Sequence, residues 1–323
     1  MIVWKDWRSQ MKIINKDIFN AINDLEESSI RCVITSPPYY KVRDYGNPKQ
    51  IGLEETPEKY VDSLVSVFEG LKTKITSDGN LFVNLGDKYD KNKSLMLIPT
   101  TFAFEMIKKG WILRNKIIWY KPNHQPSPVK DRLTNTYEEV FHFTKQSKYY
   151  YDLDSIRIPI EHSQEESDRV YRRFKDKIKQ SDLTEEQKVS AIDELIKLYR
   201  ENRINKDARL KLKGSHKPLF GGNSELSGRA KELETKGYYF HCNNPKGKNL
   251  GDLLSVNIKS HKGMHEAVFP EELVIPLIKV GSQEGDTVLD PFAGTGTTCK
   301  TAEKLNRIGL GVELNSEYVK YYE

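Results

Sequence analysis

Cysteine is scarce in this sequence, and the few cysteines are scattered. Cys32, Cys242 and Cys299 are its three cysteines, with no CxxC pair and no Cys/His cluster at zinc-ligand spacing. A disulfide framework and a structural zinc are therefore not expected. His261 and His265 stand four residues apart, as metal ligands on a helix do, but no third ligand stands at a suitable spacing. We predict that the protein has no metal site.

Long hydrophobic runs are also absent. No stretch approaches the ~20 apolar residues that a membrane helix needs, and residues 1–12 carry charges without the apolar core of a secretion signal. We therefore expect an intracellular, cytoplasmic chain without a membrane partner. Lys and Arg number 51 against 46 Asp and Glu. The resulting net charge of +5 permits a polyanionic partner without demanding one.

Short apolar strands alternate with helical segments in the first half of the chain. The patterns predict strands at 11–14, 30–35, 81–85, 111–120 and 139–144, and helices at 18–25 and 98–107. Thr56 and Pro57 predict the start of a further helix, by a cap followed by proline. Asp78 and Gly79 predict a turn before the strand at 81–85. This alternation favours an α/β fold with a doubly wound, mostly parallel sheet.

The middle of the chain has a different composition. Residues 164–213 are highly charged and predicted to be mostly helical, and Thr184 with Gln187 forms a capping-box pattern. One helix there is predicted to pack through an apolar stripe of Val189, Ile192, Ile196 and Tyr199. Residues 214–251 are rich in Gly, Lys and Asn, which predicts a loop with a basic bias. The α/β pattern returns at residue 269, so the middle region is predicted to be inserted into the sheet domain.

A glycine-rich turn lies near the end of the chain. Asp290-Pro-Phe-Ala-Gly-Thr-Gly-Thr-Thr298 follows a predicted strand, 287–289, and precedes a predicted helix, 299–305. A strand, a tight glycine turn and a helix form the first unit of nucleotide-binding folds. Glu313, near the end of the next predicted strand, can accept hydrogen bonds from two ribose hydroxyls. A close-packed structural turn remains the alternative. The Gly-Lys-Ser/Thr element of a P-loop is missing, which favours a nucleoside ligand without a polyphosphate.

A proline loop lies near the start of the chain. Thr35-Ser-Pro-Pro-Tyr39 comes directly after the predicted strand 30–35, at the edge where open α/β sheets bind ligands. Prolines stiffen the loop and supply no N–H. The Ser36 hydroxyl and the Pro37 carbonyl can therefore accept hydrogen bonds from a ligand amino group, and Tyr39 offers a face for a planar base. The alternative is a connecting turn with a packed tyrosine.

These two motifs, in this order, resemble the β class of DNA amino-methyltransferases from restriction–modification systems. In that class the catalytic loop precedes the cofactor turn and the target-recognition region lies between them. Further similar blocks cover 43–46, 50–52, 111–123, 137–138, 143–145 and 265–273. The resemblance implies a Rossmann-like methyltransferase fold in three parts. Residues 1–148 form the catalytic half, 149–252 the target-recognition region and 253–323 the cofactor-binding half.

The resemblance also implies the reaction. Ser36, Pro37, Pro38 and Tyr39 are the catalytic loop of an enzyme that methylates an exocyclic base nitrogen and extrudes its target base from the duplex. Serine before Pro-Pro-Tyr points to cytosine-N4, with adenine-N6 as the alternative. Asp87, just past the strand at 81–85, is a candidate to orient the amine or to accept its proton through water, and a helix-capping role is equally open.

The cofactor implied is S-adenosylmethionine. By resemblance, Asp290, Phe292, Gly294, Gly296 and Thr297 line its methionine part and Glu313 binds its ribose, while Asp17, His265 and Phe269 complete the cofactor site. Asp17 is also a candidate N-cap for the helix at 18–25.

Double-stranded DNA is the partner implied, and a cognate restriction endonuclease acting on the same site is left open. Two other functions remain as alternatives, an RNA base methyltransferase and a catalytically silent nucleic-acid-binding protein. Methylation at carbon 5 of cytosine is not expected, because it needs a cysteine nucleophile, usually after proline. Cys32, Cys242 and Cys299 follow Arg, His and Thr, and Cys32 and Cys299 are predicted to be buried apolar residues.

Overall fold

A computed structural model describes residues 12–44, 46–213, 228–260 and 267–320. Residue 11, the first of the predicted strand 11–14, lies outside the described residues, as do His261 and His265. The chain forms two compact units, one made of Met1–Ile156 with Gly251–Glu323 and the other of Arg157–Leu250. None of the helices in the described ranges combines the length and the apolar character needed to cross a membrane.

The first unit is built on a mixed sheet with helices between its strands. Its strands are β1 Lys12–Asn15, β2 Ile30–Thr35, β3 Ile75–Leu85, β4 Ile112–Tyr120, β5 Tyr137–Thr144, β8 Leu253–Ser255, β11 Thr287–Asp290 and β12 Ile308–Glu313. Its helices are α1 Ile18–Asp24, α2 Pro57–Leu71, α3 Ile98–Lys108, α7 Glu271–Gly281, α8 Thr297–Lys304 and α9 Ser316–Val319. A two-stranded sheet of β9 Lys259–Ser260 and β10 Ala267–Val268 accompanies them.

The order of the main sheet explains where a ligand can bind. Within the described residues the order is β1-β12-β11-β2-β3-β5-β4-β8, and pairing is parallel except where β5 runs antiparallel to β3 and β4. The chain leaves β11 through α8 toward β12 on one side, and leaves β2 through α2 toward β3 on the other. A crevice opens where the connections from two neighbouring strands run in opposite directions along the sheet. The predicted doubly wound, mostly parallel sheet is confirmed.

Helix α2 shows how closely local signals set an element. Thr56 accepts a hydrogen bond on its hydroxyl from the Lys59 N–H at 3.3 Å, and Pro57 occupies the first turn, as the sequence predicted. The apolar positions recur every three or four residues and are buried in the core, namely Tyr60, Leu64, Val67, Phe68 and Leu71. The solvent-facing side keeps its charged residues, so the helix covers the sheet with one face.

One predicted turn was wrong. Asp78 and Gly79 lie inside β3, which begins at Ile75 rather than at residue 81. The pairing of β2 with β3 slips between Ile30 and Cys32, so the residues form an irregularity within the strand. A side chain at Gly79 would come within 2.8 Å of the Arg31 carbonyl oxygen, which explains why glycine stands there.

The second unit packs a helical hairpin against a β-ribbon. Its elements are α4 Gln164–Lys179, α5 Glu185–Arg200, β6 Arg209–Leu212, α6 Gly228–Lys236 and β7 Tyr238–His241, and β6 pairs antiparallel with β7. The predicted capping box of Thr184 and Gln187 is confirmed. The prediction of a loop at 214–251 was wrong where the chain forms α6 and β7. In β7 the alternating residues Tyr238 and Phe240 are buried.

The predicted apolar stripe of α5 was displaced around the helix. The buried residues are Ala191, Leu195 and Leu198, whereas Val189 is 59% exposed. Ile192 and Tyr199 pack only at the margin of this core. Alanine carries little weight in a hydrophobicity pattern, although its small side chain lets the helix approach its neighbours closely. The pattern therefore favoured the larger residues one position away.

The buried imidazole of His142 predicts a pH-dependent stability. His142 lies in β5 with Nε2 2.8 Å from Asn80 Oδ1, stacked on Phe82 at 4.4 Å between ring centroids. Burial, together with the charge of Arg114, lowers the pKa of His142 to about 3. An unfolded histidine titrates near pH ~6.5, so the unfolded chain binds the proton first as the pH falls. The free energy of unfolding should therefore decrease from about pH 6.5 downward.

We expect the His142→Gln variant to remove this dependence. Between pH 7 and pH 5 the wild-type protein should lose about 2 kcal/mol of unfolding free energy through this group, and the variant should not. Urea unfolding of both proteins at the two pH values measures the difference. Asp290 opposes the trend, because burial raises its pKa to about 6, but it contributes equally to both proteins. Equal pH slopes in the two proteins would contradict the assignment.

Candidate active site

A cleft of about 420 Å³ opens at the carboxyl ends of β1, β2, β11 and β12. The cleft collects most of the residues that the sequence analysis selected, namely Asp17, Ser36, Pro37, Pro38, Tyr39, Phe269, Asp290, Phe292, Gly294, Thr297 and Glu313. Among the described residues, Gly296 and Asp87 are not part of its lining. The two motifs are 254 residues apart between Ser36 and Asp290, and the sheet order brings them to one wall.

The proline loop and the glycine turn are joined by a direct hydrogen bond. The Thr35 hydroxyl donates to Asp290 Oδ1 at 2.7 Å, and the Phe292 N–H donates to the same oxygen at 3.0 Å. Thr35 is fully buried and Asp290 is 4% exposed. Burial raises the pKa of Asp290 to about 6, because a charged carboxylate is poorly solvated there. The last residues of two adjacent strands therefore hold both motif loops in register.

The glycine turn leaves open space in front of its backbone. Gly294 has φ +53°, and an ideal Cβ placed on it would meet no atom within 4 Å. Its N–H donates to Glu313 Oε2 at 2.7 Å, and the Asn315 N–H donates to Glu313 Oε1 at 2.7 Å. Gly296, with φ +80°, lies at the N-cap of α8. The turn therefore presents backbone to the cleft, beside a 9% exposed carboxylate whose remaining lone pairs can accept further bonds.

The proline loop is held from both sides. The Tyr60 hydroxyl of α2 donates to the Pro38 carbonyl at 2.8 Å. Gly86, just after β3, lies against the Tyr39 ring, since a Cβ on Gly86 would come within 2.7 Å of Tyr39 Cε2. The backbone therefore limits the movement of the ring, and Tyr39 still contributes to the cleft wall. The loop is preorganised before any ligand binds.

A polar network that the sequence did not predict lies behind Ser36. Tyr39 donates its hydroxyl proton to Glu138 Oε2 at 2.6 Å, and Lys121 forms an ion pair with Glu138 Oε1. Asn84, 1% exposed, contacts the Ser36 Oγ, the Tyr39 hydroxyl and Glu138 Oε2 through Nδ2 at 3.2, 2.7 and 2.7 Å. Glu138 and Lys121 occurred in the similar blocks of sequence, but no role had been assigned to them.

Two predicted acids have structural partners. Asp17 caps α1 by accepting from the Asn20 N–H at 3.1 Å, and it also lines the cleft, so both of its proposed roles are compatible with its position. Asp87 Oδ1 accepts from the Lys88 and Ile98 N–H groups at 2.9 and 3.2 Å. Asp87 thus caps the start of α3, which is the alternative role left open for it.

Aromatic residues close another part of the cleft. Phe269 packs edge-on against Trp119 with 6.4 Å between ring centroids, and both rings line the cleft. The Trp119 indole N–H donates to the Val256 carbonyl at 2.9 Å, which fixes the ring. His265, predicted to lie on the same side, is outside the described residues. Trp119 was another residue without an assigned role.

The thiols are not placed for nucleophilic chemistry. Cys32 and Cys299 are fully buried, as predicted, and burial raises the pKa of both thiols. Burial also raises the pKa of the partly buried Cys242 to about 11. A thiolate is the reactive form of cysteine, so these groups are poor nucleophiles near neutral pH.

Solved structures define the class of fold. The PvuII DNA methyltransferase (cytosine-N4-specific) superposes with a TM-score of 0.60 at 19% identity, covering 97% of this chain and 85% of that one. A putative DNA modification methylase from Thermus thermophilus, complexed with S-adenosyl-L-methionine, gives 0.54 at 22% identity, covering 97% and 91%. The fold is the Rossmann-like fold of DNA methyltransferases.

Sequence relatives define the family. A family model described as DNA methylase, N6_N4_Mtase, matches residues 30–323. The type II methyltransferase M.SfiI of Streptomyces fimbriatus is 30% identical over 95% of this chain and 88% of its own length. M.Cfr9I of Citrobacter freundii, also a type II methyltransferase, is 29% identical over 94% and 83%. The chain belongs to the N6/N4 DNA methylase family, and its methyl donor is S-adenosylmethionine.

The cleft fits this cofactor. Its volume lies within the range of about 300–1,000 Å³ that is usual for small-molecule sites. The open backbone at Gly294 admits a close ligand, the Glu313 carboxylate retains acceptor capacity for ribose hydroxyls, and the Asp290 carboxylate suits a positively charged group. When bound, the cofactor supplies an activated sulfonium methyl group.

Proposed function

We propose that this enzyme methylates the exocyclic N4 amine of cytosine within a specific sequence of duplex DNA. The observation that supports the proposal is the Thr35–Asp290 hydrogen bond, which joins the loop that contains Ser36 to the loop that contains Gly294. Ser36 and Pro37 line the same cleft as Gly294 and Glu313. The serine before Pro-Pro-Tyr supports cytosine over adenine, following the resemblance described above.

Ser36 and Pro37 would act on the amine by accepting its hydrogens. The nitrogen lone pair of such an amine is conjugated with the base ring and is a weak nucleophile. Acceptors on the two N–H groups favour a pyramidal nitrogen, and they bind more strongly as positive charge develops there. This is preferential stabilisation of the transition state. The rest of the rate acceleration comes from the alignment of the amine with the methyl group.

The target base would have to leave the duplex to reach this cleft. Extrusion costs a few kcal/mol, which stacking on an aromatic face offsets in part. The Tyr39 ring is held by Gly86 on one side and by its hydroxyl contacts, so it loses little freedom when a base stacks on it. We therefore assign Tyr39 as the stacking platform.

The second unit offers a surface for DNA recognition. On the ribbon of β6 and β7, Leu210, Leu212, Tyr238 and Phe240 pack on the helical hairpin. The alternate positions of β6, Arg209 and Lys211, are exposed and basic, and they pair with His241 and Tyr239 of β7. A two-stranded ribbon fits the major groove, and cations on it can neutralise phosphates. We propose this basic ribbon face as the DNA contact of the target-recognition region.

Removing the two cations should weaken DNA binding without affecting the cofactor site. For Arg209→Ala/Lys211→Ala we expect the negative slope of log affinity against log salt to become shallower by about 1.8, if each contacts one phosphate. Fluorescence anisotropy with a labelled duplex at several salt concentrations measures the slope. Lys177→Ala/Lys179→Ala, which changes two exposed lysines of α4, is the matched control and should leave the slope unchanged. A loss that is equal in both variants would refute a specific role for the ribbon.

The proposed reaction is tested by identifying the methylated nucleoside. Purified protein is incubated with S-adenosylmethionine and duplex DNA, the DNA is digested to nucleosides, and the products are separated by mass spectrometry. The proposal predicts N4-methylcytosine. N6-methyladenine would assign the enzyme to the adenine branch, methyl transfer to RNA alone would change the substrate, and no transfer would leave only a binding function. Sequencing DNA from cells that express the protein would then give the recognition sequence.

We also propose a biological setting. The relatives named above are type II methyltransferases. A restriction endonuclease that cuts the same sequence is the partner that such an enzyme would protect against. Because the substrate is cellular DNA, we place the activity in the cytoplasm.

A further inference from the structure

We infer that Glu138 receives the proton that the target amine loses, through a hydrogen-bonded chain of Ser36 and Tyr39. The inference rests on the proposed function, because it concerns the same amine. An amine that attacks as a neutral group becomes positively charged when it gains the methyl group, and it must then release one proton. The side chains behind Ser36 provide a directed path for that proton.

The direction of each hydrogen bond follows from the chemistry of the groups. A carboxylate can only accept, so the Tyr39 hydroxyl, 2.6 Å from Glu138 Oε2, must donate to it. Because the single hydroxyl proton of Tyr39 is donated to Glu138, the serine must be the donor in the 3.2 Å contact between Ser36 and Tyr39. Ser36 Oγ keeps two lone pairs, and Asn84 Nδ2, whose two hydrogens are shared with the Tyr39 hydroxyl and Glu138 Oε2 at 2.7 Å, takes up at most one of them at 3.2 Å. The other is available to a target N–H.

The strands fix Glu138 in its place. β5 runs antiparallel to β3, so its first residues lie at the edge where β3 ends. Asn84 pairs with Val140, and Glu138, two residues before Val140, therefore shares its face with Asn84. Trp119 pairs with Glu138, and Lys121 follows on the same side. The side chains of Glu138 and Lys121 are only 15% and 16% exposed, so their ion pair is held within the cleft wall.

The step balances in atoms and charge. The amine nitrogen forms its bond to the methyl carbon as the carbon–sulfur bond breaks, and the electron pair of that bond stays on sulfur. An amine proton then passes to Ser36 Oγ, the Ser36 proton passes to the Tyr39 oxygen, and the Tyr39 proton passes to Glu138 Oε2. Glu138 becomes neutral and later returns its proton to solvent, so every group regains its starting state.

Asp87 is not placed for this task. Its carboxylate accepts the Lys88 and Ile98 N–H groups at the start of α3, and it is not among the described residues that line the cleft. Glu138 lines the cleft and is two hydrogen bonds from Ser36. Glu138 acts through Tyr39, which makes it a positioning and proton-accepting residue rather than a group in contact with substrate.

The test compares two adjacent glutamates. Glu138→Gln preserves the shape and an acceptor for Tyr39 but cannot take up a proton near neutral pH. We expect its single-turnover rate to fall about 100-fold or more, with unchanged dissociation constants for DNA and cofactor. Glu139→Gln is the matched control, because Glu139 is also ion-paired, to Lys116 at 3.0 Å, but is not part of the cleft lining. The control should keep the wild-type rate.

Two further readouts separate a relay from a merely structural role. Tyr39→Phe keeps the aromatic ring but breaks the chain, so the double variant with Glu138→Gln should be no slower than the slower single variant. Glu138→Asp keeps a carboxylate that can accept a proton, so it should recover part of the rate that Glu138→Gln loses. Additive losses in the double variant, or no recovery in Glu138→Asp, would overturn the relay.

Failure of the relay is distinguishable from failure of the proposed function. If wild-type protein makes N4-methylcytosine and Glu138→Gln does so at the wild-type rate, the relay is wrong and the proposed function stands. If wild-type protein methylates no base, the proposed function fails and the relay with it. Urea unfolding of each variant shows whether a lost rate is caused by lost folding.

Discussion

Replacing Ser36 with alanine is expected to lower kcat by about 10²–10³-fold, the usual cost of one group that stabilises developing charge. Ser36 lines the cleft, and its Oγ keeps one lone pair once the contacts to Asn84 and Tyr39 are accounted for. Alanine removes that acceptor and interrupts the contact to Tyr39. Since the hydrogen bond strengthens as the amine becomes positive, its loss should affect kcat more than KM. Single-turnover methylation of a duplex substrate measures the change.

The control for Ser36 is another serine of the same unit. Ser66 is exposed on α2 and donates to the Asp62 carbonyl at 2.8 Å, so Ser66→Ala should leave kcat unchanged. Cofactor affinity should be the same in both variants, because we propose that Ser36 contacts the base and not the cofactor. If Ser36→Ala retains the wild-type kcat, the serine does not act on the amine.

The second large effect concerns the charge of Asp290. In Asp290→Asn the amide oxygen can still accept from Thr35 and Phe292, so the junction of the two loops is preserved. The substitution removes the negative charge that we propose attracts the positively charged part of the cofactor. Hydrogen bonds to charged groups contribute about 1.5–3 kcal/mol. We therefore expect the affinity for S-adenosylmethionine to fall about 10–100-fold at pH 8, measured by titration calorimetry.

The pH dependence of cofactor binding tests whether the charge of Asp290 is responsible. Burial raises the pKa of Asp290 to about 6, so the free protein takes up a proton there as the pH falls from 8 to 5. A cationic ligand binds the ionised form better, and wild-type affinity should therefore decrease below about pH 6. Asp290→Asn should show no such decrease, and Asp193→Asn, an exposed position on α5, should behave as the wild type. A pH dependence that persists in Asp290→Asn would assign it to another group.

Local signals carried much of the fold. The proline after Thr56, the capping box at Thr184 and the apolar strand before Ser36 each set a local structure that tertiary packing did not override. The glycine turn and the proline loop were recognisable because the residues of each motif are consecutive in the sequence. The order of the two motifs implied that the loops lie close together, and the Thr35–Asp290 hydrogen bond joins them.

The features that could not be predicted from the sequence depend on the register between strands. Asn84 and Glu138 are single polar residues within apolar strands, and nothing local marks them as partners. They meet because β5 turns back antiparallel against β3, which pairs Asn84 with Val140. The prediction of a turn at Asp78 was wrong for a similar reason, since these residues belong to β3, which pairs with β2. Contacts between strands distant in sequence decide both cases.

A structure of the protein with sinefungin, an analogue of the cofactor, and a cytosine-containing duplex would show whether the two loops form one site. We expect the analogue on the Gly294 turn, with the extruded cytosine amine bound to Ser36 Oγ. The reacting atoms should be about 3–3.5 Å apart, as a near-attack geometry requires. An analogue bound away from the Gly294 turn, or a target amine that does not reach Ser36, would contradict the proposal that these two loops form one methyl-transfer site.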